Sequence, residues 1–466
     1  MALKKSISGI RGTLGGRAGN ILTPQVIVDY TAAYGHWITR QGKAKRVVIG
    51  RDGRISGTLV QELATQTLRA VGIDVIDLGY STTPTVEMAV KMAGAGGGIV
   101  VTASHNPKEY NALKFLNHVG EFLTQAENDE MQRYLDDNLI EYATVDQLGG
   151  VSSDEGYIDR HLEAILALPQ VQADAVRRRG FKVVVDCINS TGALSVPPLL
   201  DALGVEYVLI NAEVNGKFAH KPEPLPANLQ QLSKAVLEHQ AHLGIAVDPD
   251  VDRLAFVCED GEMFGEEYTL VAVADYILQQ NGGGNTVSNL SSTRALRDVT
   301  RKHGGNYYAS AVGEVNVVTQ MKAVDAVIGG EGNGGVIVPD LHYGRDALAG
   351  IALFLSHLAQ YGKRVSYLRK TYPAYFMYKD KIEKTDAFDL DYVLQPLQHK
   401  YRNEEIHTTD GLKIDLEDGW IHLRNSNTEP IVRIYTESHS PVIAENLYKK
   451  IKQDIQEILT ERTAEA

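Results

Sequence analysis

Apolar runs alternate with amphipathic stretches over the first three quarters of the chain. Runs rich in valine and isoleucine at 45–50 and 182–186 predict buried strands. The segment 24–40 has a helical period and begins with Thr23 and Pro24, a pair typical of a helix start. This strand–helix alternation predicts mainly parallel sheets with helices on both faces.

The pattern changes after Tyr372 and Pro373. Segments 413–416, 420–424 and 431–437 alternate apolar and polar residues, as antiparallel strands with one exposed face do. We therefore predict an α/β protein with three similar α/β domains and a C-terminal α+β domain around a central cleft. The predicted domains are 1–150, 151–255, 256–370 and 371–466.

Three polar segments are predicted from their patterns to be simple connections. Residues 5–16 are glycine-rich and favour a flexible loop. Arg51-Asp52-Gly53-Arg54 predicts a turn, and the proline-rich run 221–226 predicts an irregular surface loop.

Length and composition restrict the class of protein. At 466 residues the chain is too long for one core. No apolar run reaches the roughly 18 residues of a membrane helix, and no apolar region follows Lys4 and Lys5, so neither a membrane partner nor a signal peptide is expected. Cys187 and Cys258 lie in apolar runs and predict buried free thiols. We expect a cytoplasmic enzyme.

The charge balance is acidic. The chain has 46 basic and 59 acidic residues, a net charge of −13, which argues against nucleic acid as a partner. An anionic substrate remains compatible with this balance, because local arginines can create a positive cleft in an acidic protein.

A serine follows the apolar run 96–101, where open α/β sheets place reactive groups. Ser104 has His105 beside it, but a histidine next in sequence seldom points back, so a serine–histidine dyad is not expected. Lys114 lies in an apolar run. It is either an outward-facing strand lysine or a group that exchanges a proton with a substrate hydroxyl.

Three carboxylates alternate along Asp248-Pro249-Asp250-Val251-Asp252-Arg253. In an extended loop they would share one face and repel each other unless a divalent cation lay between them. All-oxygen ligands suit Mg²⁺. An EF-hand does not fit, because Arg253 stands where that loop needs glycine. A positively charged residue such as Arg253 is expected beside a metal loop only where an anion also binds.

Two further loops carry candidate binding groups. The run 330–335 matches Gly-x-Gly-x-x-Gly, but a β-type run follows it, so a dinucleotide site is not predicted. Glu331 is either a ligand for sugar hydroxyls or an exposed glutamate in a glycine hairpin. Arg424 and Arg433 flank Asn, Ser and Thr residues, a combination typical of phosphate binding.

Together these loops resemble the α-D-phosphohexomutase superfamily over essentially the whole chain. Thr102-Ala103-Ser104-His105-Asn106-Pro107 matches its phosphoserine loop, and 248–253 matches its metal loop. Glu331 stands in its sugar-binding loop, and 424–433 matches its phosphate-binding loop. Ser8-Gly9-Ile10-Arg11-Gly12 matches its N-terminal signature, which replaces the expectation of a flexible arm there.

The sugar-binding loop points to a subfamily. Gly330-Glu331-Gly332-Asn333-Gly334-Gly335 departs from the Gly-Glu-x-Ser-Gly-His of most bacterial members. It is similar to archaeal-type phosphoglucosamine mutases, as is the segment 312–318. Members with this pattern also resemble phosphomannomutase/phosphoglucomutases, and the hydroxyl often linked to amino-sugar choice is absent.

The resemblance implies an isomerase of carbohydrate metabolism, an intramolecular phosphotransferase. It would move a phosphoryl group between O6 and O1 of a hexose or hexosamine phosphate, through phosphoserine and a sugar bisphosphate. Phosphoglucosamine mutase activity is the first expectation, and phosphomannomutase/phosphoglucomutase activity is the alternative. Two rivals are a non-catalytic sugar-phosphate-binding protein and a phosphatase.

The resemblance also implies site residues and cofactors. One Mg²⁺ per chain and a sugar 1,6-bisphosphate activator are expected, with a hinge near Tyr372 and a monomer or homodimer. Three sets of residues are implied: catalytic Ser104, Lys114, Arg11 and His105; metal-binding Ser104, Asp248, Asp250 and Asp252; and substrate-binding Arg253, Glu331, Asn333, Arg424, Ser426, Asn427, Thr428 and Arg433.

Overall fold

The computed structural model describes residues 3–7, 9–17, 19–383, 390–426 and 431–465. Within these residues the chain forms four β-sheets that follow one another along the sequence. Helices pack against the sheets, and the predicted mixed α/β architecture with an α+β C-terminal unit is confirmed.

The first sheet is parallel at one side and antiparallel at the other. Its unit contains β1 (Lys4–Ser6), β2 (Gly9–Thr13), α1 (Pro24–Arg40), β3 (Arg46–Arg51), α2 (Gly57–Ala70), β4 (Asp74–Tyr80), α3 (Thr83–Met92), β5 (Gly97–Val101), β6 (Tyr110–Leu116), α4 (Gln125–Asp136) and β7 (Val151–Ser153). The strand order is β1-β2-β6-β5-β3-β4-β7. Strands β5, β3, β4 and β7 pair in parallel, and the other pairs are antiparallel.

The N-terminal segment is part of this sheet, so the prediction of a flexible loop from its pattern is wrong. Strand β2 pairs with β6, which places Ile10 opposite Leu113, and Ile10 is 1% exposed. Gly9 has a φ of 114°, and a Cβ there would lie 1.9 Å from the Leu113 carbonyl oxygen. These strands are short and polar, so pairing with a buried neighbour decides their structure.

The second and third units each add an antiparallel edge strand to a parallel core. The second unit contains α5 (Tyr157–Leu166), α6 (Ala173–Arg179), β8 (Lys182–Asp186), α7 (Gly192–Ala202), β9 (Glu206–Ile210), α8 (Gln230–Glu238), β10 (Leu243–Val247) and β11 (Leu254–Cys258). The third contains α9 (Glu266–Asn281), β12 (Asn285–Asn289), α10 (Ala295–Lys302), β13 (Tyr307–Ser310), α11 (Glu314–Ala323), β14 (Ala326–Glu331), β15 (Gly335–Ile337), α12 (Ala347–Tyr361) and α13 (Val365–Arg369). The strand orders are β11-β10-β8-β9 and β13-β12-β14-β15.

The second and third units share one hydrophobic core. The ring of Phe256 on β11 stacks on Phe354 of α12, with the ring centroids 3.9 Å apart. Helix α12 is buried from Ala347 through Leu358, as expected for a helix that is apolar on all sides. This core fixes the two units relative to each other.

The fourth unit is an antiparallel sheet covered by helices. It contains β16 (Phe376–Glu383), α14 (Leu390–Lys400), β17 (Glu405–His407), β18 (Leu412–Leu416), β19 (Gly419–Asn425), β20 (Ile431–Ser438) and α15 (Pro441–Glu465). The strand order is β16-β20-β19-β18-β17, so the alternating pattern identified the three central strands and missed both edges.

The structure also bears on the two cysteines and on the expectation about membrane helices. Cys187 and Cys258 are free and buried, as predicted, and burial raises the pKa of each thiol to about 12. Among the described residues, no helix is long and apolar enough to cross a membrane.

A buried polar cluster joins the first three units. His342 lies between Asp346, at 3.1 Å from its Nε2, and Glu87 of α3, at 3.3 Å from its Nδ1. His161 of α5 also contacts Asp346, at 2.8 Å. Burial alone would lower the pKa of His342, but the two carboxylates outweigh burial and raise that pKa to about 10. His342 is therefore a buried cation at neutral pH.

We predict that this cation stabilises the fold at neutral pH and not at high pH. Because the folded pKa of about 10 exceeds the ordinary histidine pKa of 6.5, the contribution is complete below about pH 6.5 and disappears as pH rises through 10. His342→Gln should lower the free energy of unfolding by roughly 3–5 kcal/mol at pH 7. Denaturant titrations at pH 7 and pH 10 measure the difference.

His439→Gln is the matched control, since the His439 side chain is 55% exposed. Equal losses for His342→Gln at both pH values would contradict the assignment of a buried imidazolium.

Candidate active site

The serine loop connects β5 to β6 at the carboxyl end of the parallel strands. Ser104 is 3% exposed and has a φ of 48°, a left-handed conformation that residues other than glycine seldom adopt. Its N–H donates to Thr102 Oγ1 at 2.9 Å, and the Thr102 hydroxyl donates to Asp52 at 2.6 Å. This turn directs the Ser104 hydroxyl to Asp248 Oδ2, at 2.7 Å.

Arg54 holds the serine loop, although its pattern predicted only a turn. Its guanidinium is 2% exposed and pairs with Asp52 at 3.0 Å. Its other N–H groups donate to four loop carbonyls, those of Ser104, Asn106, Pro107 and Tyr110. A signal was present in the sequence: Arg51-Asp52-Gly53-Arg54 follows a strand that lies parallel to β5, so both loops leave the same sheet edge.

The acidic loop connects β10 to β11 and is a tight turn, not the extended segment that alternation predicted. Val251 has a φ of 60°, and its N–H donates to the Asp248 carbonyl at 3.1 Å. The carboxylates of Asp248, Asp250 and Asp252 converge because of this turn, with ligand atoms within 4.8 Å of one another. All three side chains are fully buried.

Burial and repulsion set the charge of these three carboxylates, which we call the acidic triad. Burial, followed by the charges of Asp252 and Asp250, holds the pKa of Asp248 well above its usual range. Burial acts in the same direction on Asp250, but Lys114 at 2.7 Å and the Thr83 hydroxyl at 2.6 Å outweigh it and lower its pKa. The three carboxylates therefore differ in how strongly the protein stabilises their charged forms.

The acidic triad fits a hard divalent cation. Among the described residues, Asp250 Oδ1 and Asp252 Oδ1 are buried without any hydrogen-bond partner. Buried anionic oxygens without partners are costly, and a cation between them removes that cost. The donor set consists only of oxygen atoms, with the Ser104 hydroxyl beside it, and such a set suits Mg²⁺.

Lys114 points into the site from β6, so the outward-facing alternative is wrong. The residue is 4% exposed, and its Nζ lies 2.7 Å from Asp250 and 3.5 Å from Asp252. Burial lowers its pKa, but the two carboxylates outweigh burial and raise the pKa overall. Lys114 is accordingly an ammonium at neutral pH.

His105 lies beside the serine, contrary to the expectation that it would not point back. Its Nδ1 is 3.3 Å from Ser104 Oγ, because the left-handed turn brings both side chains to one side. Burial, with the charges of Arg253 and Arg11, holds the pKa of His105 well below its usual range, so the ring is neutral. Arg11 donates to Asn106 Oδ1 at 2.6 Å, and burial lowers its pKa to about 10.

Glu331 ends β14 and is 4% exposed, so it is not the exposed glutamate of a glycine hairpin. Its Oε1 accepts from Asn289 at 2.8 Å and from the Gly313 N–H at 3.1 Å. Its Oε2 accepts from Arg345 at 2.9 Å and from Asn333 at 3.4 Å. Both oxygens are therefore held by the protein.

Arg345 is a site residue that the sequence patterns did not indicate. It bonds Asp252 at 2.7 Å, Glu314 at 2.8 Å and Glu331 at 2.9 Å. The only clue was its place directly before Asp346, which caps the helix after the sugar-binding loop.

Arg253 pairs with Glu223, 2.8 Å away, in the proline-rich run 221–226. That run was predicted to be a surface loop, but Pro222 and Pro224 are buried. The prolines thus pack a carboxylate against the arginine of the acidic loop.

The predicted phosphate-binding loop joins β19 to β20. Arg424 and Arg433 face each other across this strand pair, and Arg433 Nε lies 3.4 Å from Ser426 Oγ. Arg424 is 5% exposed, and in the part of the chain that the structure describes its Nη2 has no hydrogen-bond partner. Asn427 and Thr428 lie outside the described residues.

A chain of contacts leads from this loop to the sugar-binding loop. Asp410 accepts from Arg424 Nε at 2.9 Å and from the Val312 N–H at 3.0 Å. The next residue, Gly313, donates to Glu331. The fourth unit therefore reaches the site through hydrogen bonds.

Comparisons with known proteins identify the family to which all four units are similar. Family profiles described as phosphoglucomutase/phosphomannomutase α/β/α domains I, II and III match residues 3–139, 156–261 and 265–375. The profile of the C-terminal domain of that family matches residues 381–453.

Individual relatives cover almost the whole chain. A Methanopyrus kandleri protein named probable phosphoglucosamine mutase is 34% identical, over 94% of this chain and 95% of its own. A Thermococcus kodakarensis protein named phosphoglucomutase/phosphomannomutase is 35% identical, over 92% of this chain and 94% of its own. A crystal structure of a phosphoglucomutase/phosphomannomutase family protein from Burkholderia thailandensis is 27% identical with a TM-score of 0.83, covering 97% of this chain and 96% of that one.

We predict that Mg²⁺ stabilises the protein through the acidic triad. At a Mg²⁺ concentration about 100 times the Kd, the stabilisation should be ~2.7 kcal/mol. Asp248→Asn should remove this response while leaving the metal-free protein about as stable as the wild type, because burial and the two neighbouring carboxylates already disfavour the charged form of Asp248. Thermal melts with and without Mg²⁺ measure both effects.

Asp260→Asn, in the exposed turn after β11, is the control and should keep the full Mg²⁺ response. An unchanged response in Asp248→Asn would exclude the triad as the binding site.

Proposed function

The chain belongs to the phosphoglucomutase/phosphomannomutase family of α-D-phosphohexomutases, and from this premise we propose that it interconverts glucosamine 6-phosphate and glucosamine 1-phosphate. Enzymes of this family are isomerases that move a phosphoryl group within a sugar phosphate. The observation that carries the proposal is the 2.7 Å hydrogen bond from Ser104 Oγ to the buried acidic triad. This contact supports the proposal, because the hydroxyl that would carry the phosphoryl group lies against the carboxylates that we propose to bind the metal.

The proposed reaction has two phosphoryl transfers. In the first, the O1 hydroxyl of glucosamine 6-phosphate forms a bond to the phosphorus of phospho-Ser104 as the Oγ–P bond breaks. The hydroxyl proton leaves to a base, and the sugar becomes a 1,6-bisphosphate. After the bisphosphate reverses its orientation within the cleft, Ser104 Oγ loses its proton and forms a bond to the phosphorus on O6 as the P–O6 bond breaks. O6 takes up a proton, and glucosamine 1-phosphate is released.

The residues around Ser104 suit this chemistry. When bound at the triad, Mg²⁺ would neutralise charge on the transferring phosphoryl group. Lys114 and Arg11 add positive charge beside it. Arg54 fixes the backbone of Ser104 and Asn106, so that Oγ keeps its direction through both transfers.

Two groups can exchange the proton. Lys114 is our first candidate and His105 the second. Lys114 is an ammonium paired with Asp250, so it must lose a proton before it accepts one, whereas His105 is already neutral. A pH profile of kcat for a variant of Lys114 and for a variant of His105 would separate these roles.

We propose the substrate-binding residues from the hydrogen-bonding groups and charges of their side chains. We propose that Arg424, Ser426, Asn427, Thr428 and Arg433 bind the phosphate that is not transferring, and that Arg253 and Asn333 contact the sugar phosphate. Glu331 would accept from two ring hydroxyls in either orientation of the sugar. It would then exchange its present partners, Asn289 and Gly313, for those hydroxyls.

The sugar is proposed from the relatives. The Methanopyrus kandleri protein is named for the amino sugar, whereas the Thermococcus kodakarensis protein is named for glucose and mannose. Phosphomannomutase/phosphoglucomutase activity is therefore the second candidate.

We predict that Ser104→Ala lowers mutase activity by at least about three orders of magnitude, because the phosphoryl carrier is lost. Intact-mass spectrometry should show a wild-type fraction heavier by one phosphoryl group, and this fraction should be absent from the variant. Ser56→Ala, in the neighbouring loop before α2, is the control. Full activity of Ser104→Ala with Mg²⁺ and glucose 1,6-bisphosphate present would contradict the mechanism.

A substrate panel tests the sugar. The kcat/KM values for glucosamine, mannose and glucose phosphates should be compared under one condition, with a sugar 1,6-bisphosphate at catalytic level. We expect glucosamine 6-phosphate to be preferred. Release of free phosphate with substrate loss would indicate a phosphatase, and binding of every sugar phosphate without turnover would indicate a binding protein.

A further inference from the structure

Gly335 leaves the space that the Arg345 side chain fills. Most bacterial members of the superfamily have histidine at the corresponding position, the last of Gly-Glu-x-Ser-Gly-His. Here a Cβ at position 335 would lie 2.3 Å from Arg345 Cδ and 2.9 Å from its Cγ, closer than non-bonded atoms approach. The φ of Gly335 is outside the left-handed region, so the glycine is needed for space and not for backbone conformation.

The stem of Arg345 cannot simply move aside, because its head is held at three points. Its Nε bonds Glu314, its Nη1 bonds Glu331 and its Nη2 bonds Asp252. The residue is 8% exposed. One guanidinium thus faces three buried carboxylates from two units.

These contacts decide which oxygen of Asp252 is available. Arg345 takes Oδ2, which also lies 3.5 Å from Lys114. The other oxygen, Oδ1, has no hydrogen-bond partner among the described residues. Arg345 therefore holds Asp252 through one oxygen and leaves the other available to a cation at the triad.

The same side chain orients the sugar-binding loop. Arg345 holds Glu331 Oε2, while Asn289 and Gly313 hold Oε1. Since the second and third units share a core, a fixed side chain can connect the two loops without any domain movement.

We propose that Arg345 is a positioning residue that couples cation binding at the acidic triad to sugar binding at Glu331. The proposal rests on the proposed function of the site for its substrate, but its effect on the cation does not require turnover.

Calorimetric titration with Mg²⁺ alone tests the coupling. Arg345→Gln should weaken Mg²⁺ binding about 10-fold to 100-fold, the effect usual for residues that orient metal ligands. Arg345→Lys keeps the charge but loses the fork that bonds three carboxylates, so it should restore only part of the affinity. The KM for the sugar phosphate should rise together with the Mg²⁺ requirement.

Arg294→Gln is the matched control. Arg294 is also a buried arginine paired with carboxylates, Asp415 at 3.0 Å among them, but it lies between the third and fourth units. It should lower stability and leave Mg²⁺ affinity unchanged. Wild-type Mg²⁺ affinity in Arg345→Gln would overturn the proposal, whether or not the wild type is a mutase.

A double-mutant cycle tests whether the side chains at positions 335 and 345 compete for the same space. In the wild-type background, Gly335→His should lower kcat/KM at least about 10-fold, because the new side chain would clash with the aliphatic part of Arg345. In the Arg345→Ala background the same change should cost clearly less. Equal costs in both backgrounds would show that the two positions do not compete and would overturn this part of the proposal.

Discussion

Three buried carboxylates at the end of β10 require positive charge, and the surrounding structure supplies it from several elements. Lys114 comes from β6 of the first unit, and Arg345 comes from the segment before α12 of the third. The two cations occupy one oxygen each of Asp250 and Asp252, and the opposite oxygens stay without hydrogen-bond partners in the described part of the chain. These two unpartnered oxygens, together with Asp248, make this place a candidate cation site.

The three α/β units present their loops in the same way. The serine loop joins β5 to β6, the acidic loop joins β10 to β11, and the sugar-binding loop joins β14 to β15, and each of these pairs is antiparallel. In each unit an antiparallel strand returns the chain at the carboxyl end of the parallel strands, so each loop lies at that end of its sheet. The shared core of the second and third units then fixes two of these loops, and polar contacts such as Thr83 to Asp250 attach the first.

The fourth unit is attached differently. Among the described residues, its hydrophobic cluster holds no residue of another unit. Its polar contacts with the third unit include Asp410 to Val312, Lys413 to the Leu290 carbonyl, His422 to Ser291, and Arg294 to Asp415. Polar interfaces between domains allow relative motion more readily than a continuous apolar core does. A site that binds a sugar bisphosphate and lets it turn needs such motion. The difference in chemistry between the two kinds of interface therefore suits the proposed reaction.

The sequence by itself predicted most of the strand–helix alternation and the α+β character of the C-terminal unit, and it singled out the serine, acidic, sugar-binding and phosphate-binding loops as candidates. Those features depend on local periodicity and on side-chain chemistry within a few residues. Only the tertiary structure decided which cations meet the acidic triad. Arg54 and Arg345 bond groups 50 or more residues away or on separate elements, and the sequence around each of them reads as an ordinary turn or helix start. The strands at the N-terminus and the direction of His105 likewise depend on a buried neighbour and on one left-handed turn, neither of which leaves a local pattern.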